Sequence, residues 1–202
     1  MRPKTIALLV VALAIVISVV GLQMQPSPAV PTLRSDIQTN QPSPKESLTP
    51  YRDQSMQITS PAFEHNGAIP PVYTCDGKGM QPPLMFSGVP PGAKSLVLVM
   101  DDPDTPSGAV FDHWIVWNIP PQSVGIGEGE SPIGVVGRNT AGTVKYFNPC
   151  PPDREHRYFF KLYALDTLLD LPAGSSKADV ESAMQGHVIV QAELIGRYNR
   201  QR

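Results

Sequence analysis

Ser95-Leu96-Val97-Leu98-Val99-Met100 runs without a break into Asp101-Asp102-Pro103-Asp104-Thr105-Pro106, and Phe111-Asp112-His113-Trp114-Ile115-Val116-Trp117-Asn118-Ile119-Pro120 follows after a short loop. Six consecutive aliphatic or small residues, too few for a buried helix and ended by acids and prolines, predict a strand covered on both faces. Trp114–Ile119 then reads as its antiparallel neighbour. The strand ends in three carboxylates, and the next one opens with an imidazole. All-β proteins keep much of their polar chemistry at such strand ends, on loops held by a rigid scaffold.

Outward from this pair the same reading recurs. Met56-Gln57-Ile58-Thr59 alternates and stops at Ser60-Pro61; Pro82–Gly88 holds another short strand; Arg157–Leu165 is a third central strand, and Val188–Tyr198 a last one. Ile69–Gly77, with two prolines, reads as an extended edge closing in an Asp-Gly turn. Pro121–Gly142 reads as a plain loop: its Gly125-Ile126-Gly127-Glu128-Gly129 misses the G-x-G-x-x-G spacing and its strand–turn–helix setting. One helix is expected, with Ser176 as cap, Asp179 completing the capping box, Val180 and Met184 on one face and Gly186 ending it. Strand alternation sets Trp114 and Trp117 on the face opposite Ile115, as core residues. The expected fold is mostly β: antiparallel sheets with one or two short peripheral helices.

The chain has 202 residues, 41% of them hydrophobic and 17% charged, with net charge −2. That is enough for one domain with a real core, and it argues against a nucleic-acid partner, which needs a surplus of Lys and Arg. The 23 prolines and 16 glycines fit a turn-rich β protein. At the N-terminus, Arg2 and Lys4 precede an apolar run from Ile6 to Leu22, seventeen residues interrupted only by Ser18 and Gly21. As a helix it would span roughly 26 Å, near the ~30 Å of a bilayer core. The leading cations orient it so that the remainder is exported. Residues 1–22 are therefore a membrane anchor or a cleaved signal peptide, both readings being open. Residues 23–50 are a Pro/Ser-rich linker without enough apolar residues to fold. Residues 51–202 form the domain.

Among the four histidines, His113 follows an aspartate and His156 sits in Pro149-Cys150-Pro151-Pro152-Asp153-Arg154-Glu155-His156-Arg157-Tyr158. If the ends of their strands lie on one side, His113, His156, Asp102 and Asp104 converge, with Arg157 and Tyr158 adding donors and an aromatic wall. A carboxylate beside an imidazole fixes its tautomer and favours its charged form. Such imidazoles would hold an anion more tightly near pH 6 than near pH 8. The plainer alternatives are a D-P-D-x-P turn and hydrogen-bonded strand-end histidines. His65 and His187 lack acidic or proline-framed context and read as structural. Cys75 and Cys150 are an even pair in an exported domain, either bridged or two separate buried thiols.

Taken in order, Tyr73-Thr74-Cys75-Asp76-Gly77, Pro82-Pro83-Leu84, Ser87-Gly88-Val89-Pro90, Asp102–Pro106, His113-Trp114, Asn118-Ile119-Pro120, Pro149–Pro152, His156-Arg157-Tyr158 and Leu162–Asp166 resemble the phosphatidylethanolamine-binding protein family, also called the Raf kinase inhibitor-like proteins, in its bacterial branch. The resemblance covers roughly Met56 to Tyr198. It implies two packed antiparallel sheets in a β-sandwich and a small phosphate-binding pocket lined by Asp102, Asp104, Pro106, His113, His156 and Tyr158. Asn148 and Arg154 stand where family members often carry glycine, and Phe86 stands where a tryptophan is common.

The functional expectation is an extracytoplasmic module that binds a small anion of the phosphate or phospholipid head-group type. It has no catalytic residue, metal or cofactor, and touches the membrane only through its N-terminal segment. No G-x-S-x-G elbow and no H-E-x-x-H motif is present. Two alternatives stand beside it: a hydrolase using the Asp/His set, and an inhibitor or interaction protein for an envelope protease or another partner.

Overall fold

The computed structural model describes residues 55–200, so the expected anchor and linker lie outside the described residues. Among those described, no helix is long and apolar enough to cross a membrane. The elements in chain order are β1 (Gln57–Thr59), β2 (Gly67–Ala68), β3 (Leu84–Ser87), β4 (Ser95–Asp102), β5 (Phe111–Ile119), β6 (Gly125–Ile126), β7 (Val135–Val136), β8 (His156–Leu165), α1 (Lys177–Met184) and β9 (Val188–Tyr198). They form a three-stranded sheet, β1-β3-β6, and a six-stranded sheet, β2-β9-β8-β4-β5-β7.

The aliphatic run forms the centre of the larger sheet. All eight residues of β4 are buried, because both faces are covered. Leu96, Leu98 and Met100 meet Ile58, Leu84 and Phe86 of the smaller sheet. Val97 and Val99 share the opposite side with Val180 and Met184 of α1. The helix is placed by its capping box: the Ser176 hydroxyl accepts from the Asp179 amide, and the Asp179 carboxylate accepts from the Ser176 amide.

Four local expectations differ from the structure. Ile69–Gly77 is not extended; Pro71–Tyr73 forms a single 3-10 turn, since Pro71 at its start has the φ a helix needs and no amide to lose. The Pro121–Gly142 stretch is not plain loop, because it contributes β6 and β7. Gly125 serves close strand approach, as a Cβ there would run into the Leu84 carbonyl. Antiparallel pairing is broken once, where the two-residue β2 runs parallel to β9. Finally, Trp114 faces the smaller sheet, while Trp117 shares the helix side with Ile115. An offset of two residues keeps one face, and an offset of three does not.

Two bulges in β5 interrupt its pairing with β4. Leu96 lies opposite Ile119 and Leu98 opposite Val116, so Val97 faces both Trp117 and Asn118. Asn118 takes φ 55, and its side-chain amide exchanges two hydrogen bonds of 2.9 Å with the Leu169 backbone. The second bulge is at His113: Met100 pairs with Trp114 and Asp101 with Asp112, leaving His113 as the extra residue. In an unbroken strand His113 would point to the helix side. A bulge sends two successive side chains to nearly the same side, so His113 joins Trp114's side, and Asp112 meets Lys177 of α1 at 2.8 Å on the other.

Candidate functional site

At this end of the larger sheet β4, β5 and β8 finish side by side. The segment from Phe147 to Pro152 crosses over them, anchored by its chemistry at both ends. The Phe147 amide donates to the His113 carbonyl at 3.0 Å. Cys150 is bridged to Cys75, with Cα atoms 5.4 Å apart, and the Cys75 amide donates to the Pro149 carbonyl.

His113 is buried. Its Nδ1 lies 2.7 Å from the Phe147 carbonyl, which can only accept, so Nδ1 carries the proton and Nε2 the lone pair. Among the described residues no hydrogen-bond partner meets Nε2. Phe111 lies at 4.7 Å between ring centroids, and Tyr158 meets His113 edge-on at 5.2 Å. Burial pushes its pKa below the usual 6.5, outweighing the Phe147 carbonyl and the carboxylates of Asp102, Asp101 and Asp112.

His156 is held differently. Nδ1 donates to Asp102 at 2.8 Å and Nε2 to Asp153 at 2.8 Å. Burial opposes its charge, but the two carboxylates prevail and raise its pKa. Asp102 is itself buried and accepts from the Asp104 amide at 2.8 Å. The triad Asp102–His156–Asp153 thus places a protonated imidazole between two carboxylates, with no N–H left for a ligand. This corrects the expectation that both imidazoles offer charged donors: one is uncharged at neutral pH, and the other is fully engaged.

Asp104 and Arg157 pair with each other rather than line the cleft. Arg157 Nε and Nη2 each reach the Asp104 carboxylate at 2.8 Å, and the Arg157 amide adds a bond at 2.9 Å. The guanidinium holds the Asp104 carboxyl down to about 2. Arg154 extends this brace, reaching Asp153 at 2.6 Å and the Asp104 carbonyl at 3.0 Å.

The result is a cleft of about 260 Å³. Among the predicted residues, Asp102, Pro106, His113, His156 and Tyr158 come together around it. Asp104 and Arg157 do not. Thr105, Phe111, Phe147, Cys150, Pro151 and Pro152 complete its walls without having been expected as ligand contacts; nor was Asp153, which grips His156 beside it. Cys150 and the prolines were visible in the Pro149–Pro152 motif, whereas Phe147 and Asp153 carried no signal beyond adjacency to it. The Tyr158 hydroxyl is fully buried and lacks a hydrogen-bond partner among the described residues. Burial, then the negative charge of Asp102, push its pKa up. A larger groove of about 520 Å³ between β1 and β9 has no buried polar side chain in its lining. His187, read as structural, pairs with Asp166 at 2.8 Å on the surface.

Comparison with known proteins gives a consistent set of relatives. The family model described as phosphatidylethanolamine-binding protein matches residues 59–199. A UPF0098 protein of Methanothermobacter thermautotrophicus is 54% identical over 151 residues, covering 72% of this chain and 99% of the relative. The crystal structure of a phosphatidylethanolamine-binding protein homolog, CT736 from Chlamydia trachomatis, superposes with a TM-score of 0.72 at 46% identity, covering 73% of this chain and 99% of the other. E. coli YbcL, described as a new member of the mammalian family of that name, gives a TM-score of 0.67 at 32% identity over 73% of this chain and 99% of its own.

Proposed function

Because the chain belongs to the phosphatidylethanolamine-binding protein family, we propose that it is a binding module whose cleft holds a small oxyanion, a phosphate or a phospholipid head group, without transforming it. The observation that carries this reading is the Tyr158 hydroxyl, a buried donor without a partner among the described residues, on a side chain that lines the cleft. An orphaned buried hydroxyl costs about 1–3 kcal/mol, and an anion oxygen would relieve that cost. His113 supplies the second contact through Nε2. An anion arriving there favours protonation of the imidazole, so binding takes up a proton.

Hydrolysis fits the geometry less well. A general base must be free to take a proton from water. Both nitrogens of His156 are committed to carboxylates, and Asp102 is occupied by His156 and the Asp104 amide. That leaves His113 Nε2 as the free lone pair of the set, and its Nδ1 is held by the Phe147 carbonyl rather than by a carboxylate that would strengthen it as a base.

The test is titration with inorganic phosphate and with sulfate, followed calorimetrically from pH 5 to pH 8. Sulfate keeps its charge over this range, so its dependence reports the protein. Its affinity should rise as pH falls from 8 and level off only once pH drops below the free-protein pKa of His113, which burial holds under 6.5. Lack of saturable binding, or binding unchanged in His113→Phe, would refute the proposal.

The same reading extends to location: an extracytoplasmic domain held by residues 6–22 through the linker 23–50. Support comes from the apolar run of the sequence and from the Cys75–Cys150 disulfide, since disulfides persist in oxidising compartments. Protease added to intact cells or spheroplasts should cut the linker and release the domain. Full protection would rule this out.

A further inference from the structure

His156 sits between two carboxylates that differ in one respect. The Asp102 side chain, on Nδ1, is 6% exposed, whereas the Asp153 side chain, on Nε2, is 38% exposed. His156 itself is 1% exposed. Asp102 at the end of β4 thus shuts Nδ1 off from solvent, and the more exposed Asp153 covers the second N–H. That carboxylate also has somewhere else to rest. Its other oxygen already meets Arg154 at 2.6 Å, and Arg154 is steadied by the Asp104 carbonyl at 3.0 Å.

A carboxylate on a charged imidazole makes the kind of hydrogen bond that a phosphate oxygen would make. Resting on the oxyanion reading above, we propose that Asp153 is an intramolecular competitor of the ligand: it holds the one His156 N–H that an anion from solvent can reach, and a bound anion displaces it onto Arg154. Asp153 and Arg154 follow directly on Cys150, Pro151 and Pro152, which form part of the cleft wall. Release of Asp153 then adds a second charged donor to the cleft beside Tyr158 and His113. The pair acts as a selector. Weak or misfitting anions fail to displace the internal carboxylate, and an anion with enough well-placed oxygens succeeds.

The experiment is calorimetric titration of the full domain with inorganic phosphate at pH 7, comparing the native chain with Asp153→Ala and Asp153→Asn. A thermal melt of each variant confirms folding. Asp153→Ala should bind phosphate at least tenfold more tightly, and Asp153→Asn should fall between, keeping the shape of the side chain while losing its charge. Glu155→Gln is the control, because it removes a charge of the same sign two residues away from an exposed pair with Arg197 at 3.4 Å. It should leave affinity within about twofold. Tightening by Asp153→Ala in a protein whose native form binds too weakly to measure also supports the competitor. Unchanged or weaker binding in both folded Asp153 variants overturns it, as does equal tightening by Glu155→Gln, which would reduce the effect to net charge. Absence of phosphate binding in every form overturns the oxyanion reading as well.

Discussion

Tyr158→Phe should make this protein more stable and a worse binder at once. The hydroxyl lies at the end of a fully buried side chain, with no partner among the described residues. Its desolvation cost is about 1–3 kcal/mol, and removing the oxygen alone leaves the ring packing intact. Taking the lower half of that range, the variant gains about 1–2 kcal/mol. At roughly 3 °C per kcal/mol for a domain of this size, its Tm rises by about 3–6 °C. Against this, a hydrogen bond to an anion contributes about 1.5–3 kcal/mol, so phosphate affinity should fall about 10- to 150-fold. Calorimetric melts in phosphate-free buffer and phosphate titrations at pH 6 measure the two effects on the same sample. A variant that melts lower than the native chain and binds phosphate equally well would refute the reasoning on both counts, since it would mean the hydroxyl has an intramolecular partner and faces no ligand.

Three further perturbations test the frame around the cleft. The raised pKa of His156 stabilises the fold fully below the unfolded value of 6.5, and this contribution is lost as pH rises through the folded value; urea midpoints should therefore decline on the alkaline side of 6.5, and in His156→Asn that decline should vanish. The Asp104 carboxyl, depressed to about 2 by Arg157, works in the opposite direction: its contribution is present above about 3.9 and lost as pH falls toward 2, so Arg157→Ala should flatten that part of an acid-unfolding curve. Reduction of the Cys75–Cys150 bridge, which joins residues 75 apart in sequence, should cost about 4 kcal/mol in the loop-entropy account, read as a shift between oxidised and reduced urea curves.

Much of the fold was legible along the chain because its signals are local. Ser95–Met100 is an unbroken aliphatic run, and only a strand covered on both faces accounts for it; the structure buries all of β4. Ser176 and Asp179 lie three residues apart, and the capping box they form depends on nothing else. The last strand, Val188–Tyr198, has the bounds the sequence implied. The composition of the site was legible in the same way, since Asp102, Pro106, His156 and Tyr158 lie in or beside proline-rich strand ends and His113 follows an aspartate where a strand opens.

What only the tertiary structure decided was which way these residues point and what already holds them. A bulge is a property of two paired strands, so nothing in Asp112-His113-Trp114 by itself announces that His113 lacks an opposite residue and turns toward the cleft. Asp104 looks like Asp102 in sequence, yet two residues along the turn it reaches outward to Arg157 and leaves the cleft. Asp153, three residues before His156, takes the second imidazole nitrogen only because the Pro149–Pro152 segment is pinned by Cys75 and folds back over the sheet. Local pattern sets what kind of element forms and which residue types reach its end. Register and long-range closure set the direction of each side chain, because they depend on partners tens of residues away.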